Sequence, residues 1–212
     1  MRTYAIALVG LDGAGKTTQA SALARRLRDG GCEAVAVHPS NDLVGSIPGG
    51  ERIKAGLLGW LGRPTLASRA SRRLLMVLFG YPFALVSLAL ARHRHRGRVI
   101  VFDRYRYQFL YDCYGPLAPL LVRALPTPDR TIWLAADVET LYERMGDGDR
   151  ERPPAYYRSA DWFHDRLARE RGWTRIETDR PLDRVIEEVF ASVVGPAESR
   201  SRSPNADPRT GG

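Results

Sequence analysis

Apolar positions along the chain fall into short runs separated by longer segments with helical spacing. Tyr4-Ala5-Ile6-Ala7-Leu8-Val9 is short, apolar and β-branched enough for a buried strand. Thr18 to Leu27 then carries apolar residues at helical intervals, and Gly30-Gly31 stops that helix. The same reading predicts strands over Glu33–His38, Arg98–Phe102, Thr131–Ala135 and Arg175–Glu177, with helical stretches between them. Strands that alternate with helices imply a doubly wound α/β fold: a parallel central sheet, right-handed crossovers and helices on both faces. The pattern reads as one domain over 1–194. From 195 to 212 the sequence GPAESRSRSPNADPRTGG has almost nothing apolar to bury and predicts a disordered tail.

One apolar stretch does not fit the strand pattern. Leu74 to Ala91 runs eighteen residues without a charge, long enough to raise a membrane span. Gly80-Tyr81-Pro82 interrupts it, and arginines flank both ends, so neither end reads as external. A buried helix or a helix used in dimer contact is the favoured reading, with peripheral membrane attachment as the alternative.

Composition narrows the class. A chain of 212 residues can bury a substantial core as one α/β domain without staples. The net charge of +8 comes from basic residues of which 30 of 32 are Arg, spread along the chain rather than clustered. That distribution suits a polyanionic small substrate better than specific nucleic acid. Cys32 and Cys113 are too few for a disulfide framework, and the first apolar run is too short for a secretory signal, so a reducing cytoplasm is expected.

Gly10 to Thr18 reads GLDGAGKTT, and Gly10 to Thr17 fits G-x-x-x-x-G-K-[ST]. The motif lies between a predicted strand and a predicted helix, the order its chemistry needs. Gly10, Gly13 and Gly15 permit the backbone, with Asp12, Ala14 and the first helical amides to Thr18, to wrap a phosphate group. Lys16 is then placed for the β- and γ-phosphates of ATP and the Thr17 hydroxyl for magnesium. A glycine-rich turn without a ligand is the plain alternative.

A second constellation closes the strand near position 100. Val99-Ile100-Val101-Phe102 delivers Asp103, Arg104 and Tyr105 to the sheet edge that holds the phosphate loop. Asp103 there suits magnesium or its water, and Arg104 suits an acceptor phosphate, although a strand-ending ion pair explains the same residues. Asn41 to Gly50 reads as an acceptor-side loop on that edge. Arg144, Asp147, Asp149, Arg150, Glu151 and Arg152 lie in a Gly- and Pro-containing segment before a helix expected near Ser159. This segment reads either as an arginine-bearing lid over about 144–158 or as a solvated charged loop.

Together, GLDGAGKTTQ, the FDRY of Phe102 to Tyr105, PDRTIWLAADVETLYERM from Pro128 and the DRE of Asp149 to Glu151 resemble the thymidylate kinase family of P-loop nucleoside-monophosphate kinases. The resemblance spans about Thr3 to Val194. It implies a three-layer P-loop NTPase fold and ATP-dependent phosphoryl transfer with magnesium to dTMP, giving dTDP, in a homodimer paired through helices. It places Asp12 at the acceptor sugar, and Arg104 and Tyr105 on the acceptor side. Gly13, where one subgroup carries a catalytic arginine, implies the subgroup that draws arginines from the lid, with Arg150 foremost and Arg144 and Arg152 beside it.

The acceptor side departs from the family. HPSNDLVGSIPGG from His38 stands in place of Arg-Glu-Pro-Gly-Gly. The stretch LFGYPFA has no charge where the family helix bears an arginine for the acceptor phosphate, and Arg69, Arg72 or Arg73 are candidates to replace it. Gln108 and Tyr111-Asp112-Cys113 occupy the usual Ser and Ala-Tyr-Gln positions. A same-fold kinase for a nucleoside, sugar or other hydroxyl, and a regulatory or membrane-associated P-loop ATPase, are the alternative functions.

Overall fold

The computed structural model of the chain describes residues 3–39, 81–145 and 153–195, with the side chains of Cys113 and Arg144 outside that description. The expected acceptor-side loop at Asn41 to Gly50, Arg69, Arg72 and Arg73, residues 74–80 of the apolar stretch, the lid residues Arg150 and Arg152, and the tail 196–212 lie outside the described residues.

The predicted strands form within a residue of their expected limits. They are β1 (Tyr4–Val9), β2 (Ala34–Val37), β3 (Val99–Asp103), β4 (Arg130–Ala135) and β5 (Thr174–Glu177). All pair in parallel in the order β2-β3-β1-β4-β5, so β1 lies between β3 and β4. After β3 the chain crosses to the far side of β1, and the carboxyl ends around β1 form the crevice in which such sheets bind ligands.

Alternation along β1 divides the core. Ala5, Ala7 and Val9 face one layer, and Ile6 and Leu8 the other. On the Ile6 side pack α1 (Lys16–Asp29), through Ala20, Leu23 and Leu27, and the last helix, α7 (Leu182–Val194), through Val185 and Val189. On the Ala5 side lie α2 (Tyr81–Arg94), α3 (Tyr107–Tyr114), α4 (Ala118–Val122) and α6 (Pro154–Arg171). The short α5 (Val138–Arg144) follows β4, capped by the Asp137 carboxylate, which accepts from the Thr140 amide at 3.1 Å. The result is the three-layer α/β arrangement expected from the sequence.

One expectation changes here. The helix expected near Ser159 begins at Pro154. Proline in the first turn costs no hydrogen bond, because that amide has no partner in any helix, so the prolines that suggested a loop are a helix start. Residues 154–158 thus belong to α6, and Arg144 closes α5. The part of the apolar stretch in α2 packs Ala84, Ser87, Leu88 and Ala91 into the core, as a buried helix does. Among the described residues no helix is long and apolar enough to cross a membrane.

Candidate active site

The phosphate loop forms where the sequence places it, between β1 and α1. Gly10 has φ 143°, and a methyl group there would stand 2.4 Å from the Leu134 carbonyl oxygen of the neighbouring strand. Gly13 has φ 85°, and a side chain would meet the Leu141 carbonyl at 3.0 Å. Both contacts are with backbone, which cannot swing aside, so neither position takes a side chain in this conformation. Gly15 caps α1 in the left-handed region, which brings the helix N-terminus to the loop. Ala14 is buried, while Thr17 and Thr18 are exposed on the first turn.

Lys16 is 5% exposed. Its ammonium donates to the Leu11 carbonyl and lies 3.4 Å from Asp12 Oδ1. Burial, helped by the nearby Arg104 cation, pulls its pKa down to about 8 against the pull of Asp12 and Asp103. The loop thus holds a poorly solvated cation against its own backbone, a position from which an arriving phosphate can take it.

Asp103 ends β3 beside the loop, and Arg104 follows it. Asp103 is 6% exposed, and its Oδ1 is buried with no hydrogen-bond partner. A buried carboxylate oxygen without a donor is costly in isolation and fits a cation ligand. With the exposed Thr17 hydroxyl it makes the all-oxygen donor set that suits magnesium. Among the described residues no group of three His, Cys, Asp or Glu side chains could hold a metal, so such an ion would depend on waters and substrate phosphates. Arg104 has φ 69°, the only positive value outside glycine among the described residues. That backbone turns its guanidinium onto Asp12, Nη1 to Oδ1 at 2.9 Å. The structure therefore brings Asp12, Lys16, Asp103 and Arg104 together.

Tyr105 does not join them. Its ring packs edge-on against Phe102 and Tyr107, it is 3% exposed, and its hydroxyl donates to the Pro126 carbonyl at 2.6 Å. Pro126 lies in the segment before β4. Two residues past the end of β3, its ring joins the core packing of Phe102.

The departures in α3 have a visible use. Gln108 Nε2 donates to Asp112 Oδ1 at 3.1 Å and to the Tyr156 hydroxyl at 2.7 Å, and that hydroxyl donates in turn to Asp112. This ties α3 to the first turn of α6.

Two groups escaped the sequence reading. His164 in α6 is fully buried, with burial pulling its pKa to about 4, and its Nδ1 donates to the Ala160 carbonyl at 2.8 Å. Arg106 is 6% exposed, with its guanidinium 4.4 Å over the Phe83 ring and Nη2 donating to the Pro39 carbonyl at 3.0 Å. The only available signal was the extra cation in FDRYRY beside an uncharged LFGYPFA.

Comparison with known proteins follows the same lines. The family model described as thymidylate kinase matches residues 8–189, from within β1 into α7. A thymidylate kinase of Alkalilimnicola ehrlichii is 32% identical, over 89% of this chain and 93% of the relative. A probable thymidylate kinase of Methanothermobacter thermautotrophicus is 28% identical, over 87% and 91%. A thymidylate kinase of a Synechococcus strain is 26% identical, over 93% and 98%. The match takes in the phosphate loop, the Asp103-Arg104 strand end and all the strands after β1, which places the chain in the thymidylate kinase family.

Proposed function

We propose that this protein is a kinase that transfers the γ-phosphoryl group of ATP to dTMP, giving dTDP. The observation that carries the reading is the cluster at the carboxyl ends of β1 and β3, where Lys16, Asp12 and Arg104 form one continuous set of charges. A donor phosphate held by the loop amides meets Lys16. An acceptor phosphate beside it meets Arg104, while the Asp12 carboxylate accepts from the acceptor's sugar hydroxyl. Magnesium held through Thr17 and Asp103 would supply charge neutralisation on the transferring group. The remaining catalysis is positioning and electrostatics from the chain itself, with no covalent intermediate.

Arg144, Arg150 and Arg152 complete this reading as cations that close over the transferring group, with Arg150 foremost. A lid over about 144–158 suits that role, because closure excludes water. The kinase unit ends near Val194, at the close of α7. Pairing of two copies through helices belongs to the same proposal, supported by Val86 and Leu90 standing 48% and 40% exposed on α2. An exposed free thiol at Cys32 supports a reducing, cytoplasmic setting.

The test is ATP consumption by the purified protein with magnesium against dTMP, dUMP, UMP, CMP, AMP, thymidine and simple sugars, with the product identified by mass. Selective formation of dTDP is expected. ATP binding without turnover on any nucleotide would sink the reading.

A further inference from the structure

We propose that the arginine-rich turn between α2 and β3 docks the protein on the surface of a membrane that contains anionic lipids. The kinase reading above is not needed for it.

The charge pattern of the sequence comes first. Basic residues are spread along the chain, but acidic ones are not: no Asp or Glu occurs between Glu51 and Asp103. Residues 52–102 hold ten Arg or Lys against none, which leaves 22 basic residues against 24 acidic ones elsewhere. The net positive charge of the protein therefore belongs to one quarter of its chain. Charge segregated in this way points to a polyanionic surface as partner.

Residues 81–98 of that segment lie among the described residues, and their cations collect in RHRHRGR from Arg92. α2 ends at Arg94 and β3 begins at Val99, so in a parallel sheet the turn between them stands at the amino edge, opposite the phosphate loop. The turn is held in place. The Arg98 amide donates to the His95 carbonyl at 3.1 Å, and the Gly97 amide, at φ 79°, to Thr3 Oγ1 at 3.3 Å. Two of its arginines have carboxylates nearby: Arg92 lies 2.8 Å from Asp129, and Arg98 lies 3.2 Å from Glu33 in an exposed pair of little strength. Arg94 and Arg96 are exposed and have no acidic partner among the described residues, with His93 exposed beside them. A cation in the last turn complements the helix dipole, and Arg92 already supplies one. On α6, by contrast, Arg158, Arg166 and Arg169 each lie within 3.1 Å of a carboxylate.

A lipid surface fits these residues better than a nucleic acid does. The free cations sit at one point rather than along a stripe that tracks a phosphodiester backbone. Tyr4, in register with Val99, stands 38% exposed at the same edge. A tyrosine beside arginines suits the boundary of a membrane, where the ring lies among headgroups and the guanidinium forks take their phosphates. Val86 and Leu90 take no part in this contact, so docking does not compete with pairing of copies. The carboxyl edge stays open to nucleotides.

The experiment is flotation of the full chain with vesicles of phosphatidylcholine alone and of phosphatidylcholine with about one third phosphatidylglycerol. Binding to the anionic vesicles should be about tenfold or more tighter than to the neutral ones and should fall as salt rises. Arg94→Gln with Arg96→Gln should weaken it about 10- to 30-fold. Arg158→Gln with Arg169→Gln removes equal charge from α6 and should change it less than about threefold. Equal binding to the two kinds of vesicle overturns the proposal, as does an equal loss in the two double variants. Tighter binding to a random-sequence DNA duplex than to anionic vesicles, lost with Arg94 and Arg96, overturns the lipid assignment and gives the turn to nucleic acid. ATP turnover with dTMP should be unchanged by Arg94→Gln with Arg96→Gln. A protein that docks on anionic vesicles without phosphorylating dTMP overturns the kinase reading alone.

Discussion

Arg104 Nη1 sits 2.9 Å from Asp12 Oδ1, so the residue that follows β3 and the second residue after Gly10 form one unit. The pair is half exposed, which limits its worth to stability to about 0–1 kcal/mol. Its value is geometric: it sets a cation and a carboxylate at a fixed separation across two neighbouring strands.

That geometry requires φ 69° at Arg104, a conformation that costs a non-glycine residue about 1–2 kcal/mol. Arg104→Ala keeps the strain and loses the guanidinium, whereas Arg104→Gly loses both. Thermal or urea unfolding should therefore find the glycine variant about 1 kcal/mol more stable than the alanine variant. Both should lose at least about tenfold in kcat/KM for dTMP, with ATP affinity little changed. Equal stabilities would remove the strain argument.

What the sequence shows and hides follows from the range of the interactions involved. The strands are set by local apolar runs and the phosphate loop by glycines whose need is local, so both can be read directly. The start of α6 was misjudged because Pro154 signals a break in isolation and a first turn in context. The core packing of the Tyr105 ring against Phe102 is hidden in the sequence, where Asp103 and Arg104 precede it directly. Arg106 could not be assigned, because its partners Phe83 and Pro39 lie 23 and 67 positions away and only the fold brings them together.

Asp103 provides a test that separates folding from chemistry. Its Oδ1 is buried without a donor, so that oxygen gains no hydrogen bond in the ligand-free protein. Asp103→Asn keeps the shape and removes the charge. The variant should be at least as stable as wild type by urea unfolding, while the magnesium needed for half-maximal turnover rises about tenfold or more. A clear loss of stability with an unchanged magnesium requirement would assign Asp103 to structure.

Asp161 on α6 lies on the other side of the balance between charge and burial. Burial raises its pKa to about 6, with Asp165, Glu177 and Asp137 adding to the rise and Arg175 opposing it. A carboxyl whose folded pKa exceeds its unfolded value holds protons more tightly when folded, so stability falls as pH rises from about 4 to about 6. Above that window the ionised group is a net cost even with Arg175 nearby. Asp161→Asn should raise stability at pH 7 by on the order of 1 kcal/mol, after discounting for a partly exposed site. The gain should shrink toward zero by pH 4. Unfolding curves at the two pH values decide this, and a gain that persists at pH 4 would show that repacking rather than charge is responsible.

The same linkage makes Lys16 a reporter of nucleotide binding. In the ligand-free loop its pKa is held near 8 by burial, with Arg104 adding to the depression. A bound polyphosphate brings several negative charges to the ammonium and favours its protonated form. Between about pH 8 and the higher value of the complex, ATP binding must therefore draw a proton from solution, and ATP affinity must fall as pH rises above 8. Titrations in buffers of different ionisation enthalpy at pH 8.5 should register that uptake. Lys16→Ala should abolish it along with phosphoryl transfer, since the variant has no group left to take the proton. Uptake that survives the substitution would move the titration to another group. Transfer that survives it would refute the role of Lys16 on the donor phosphates.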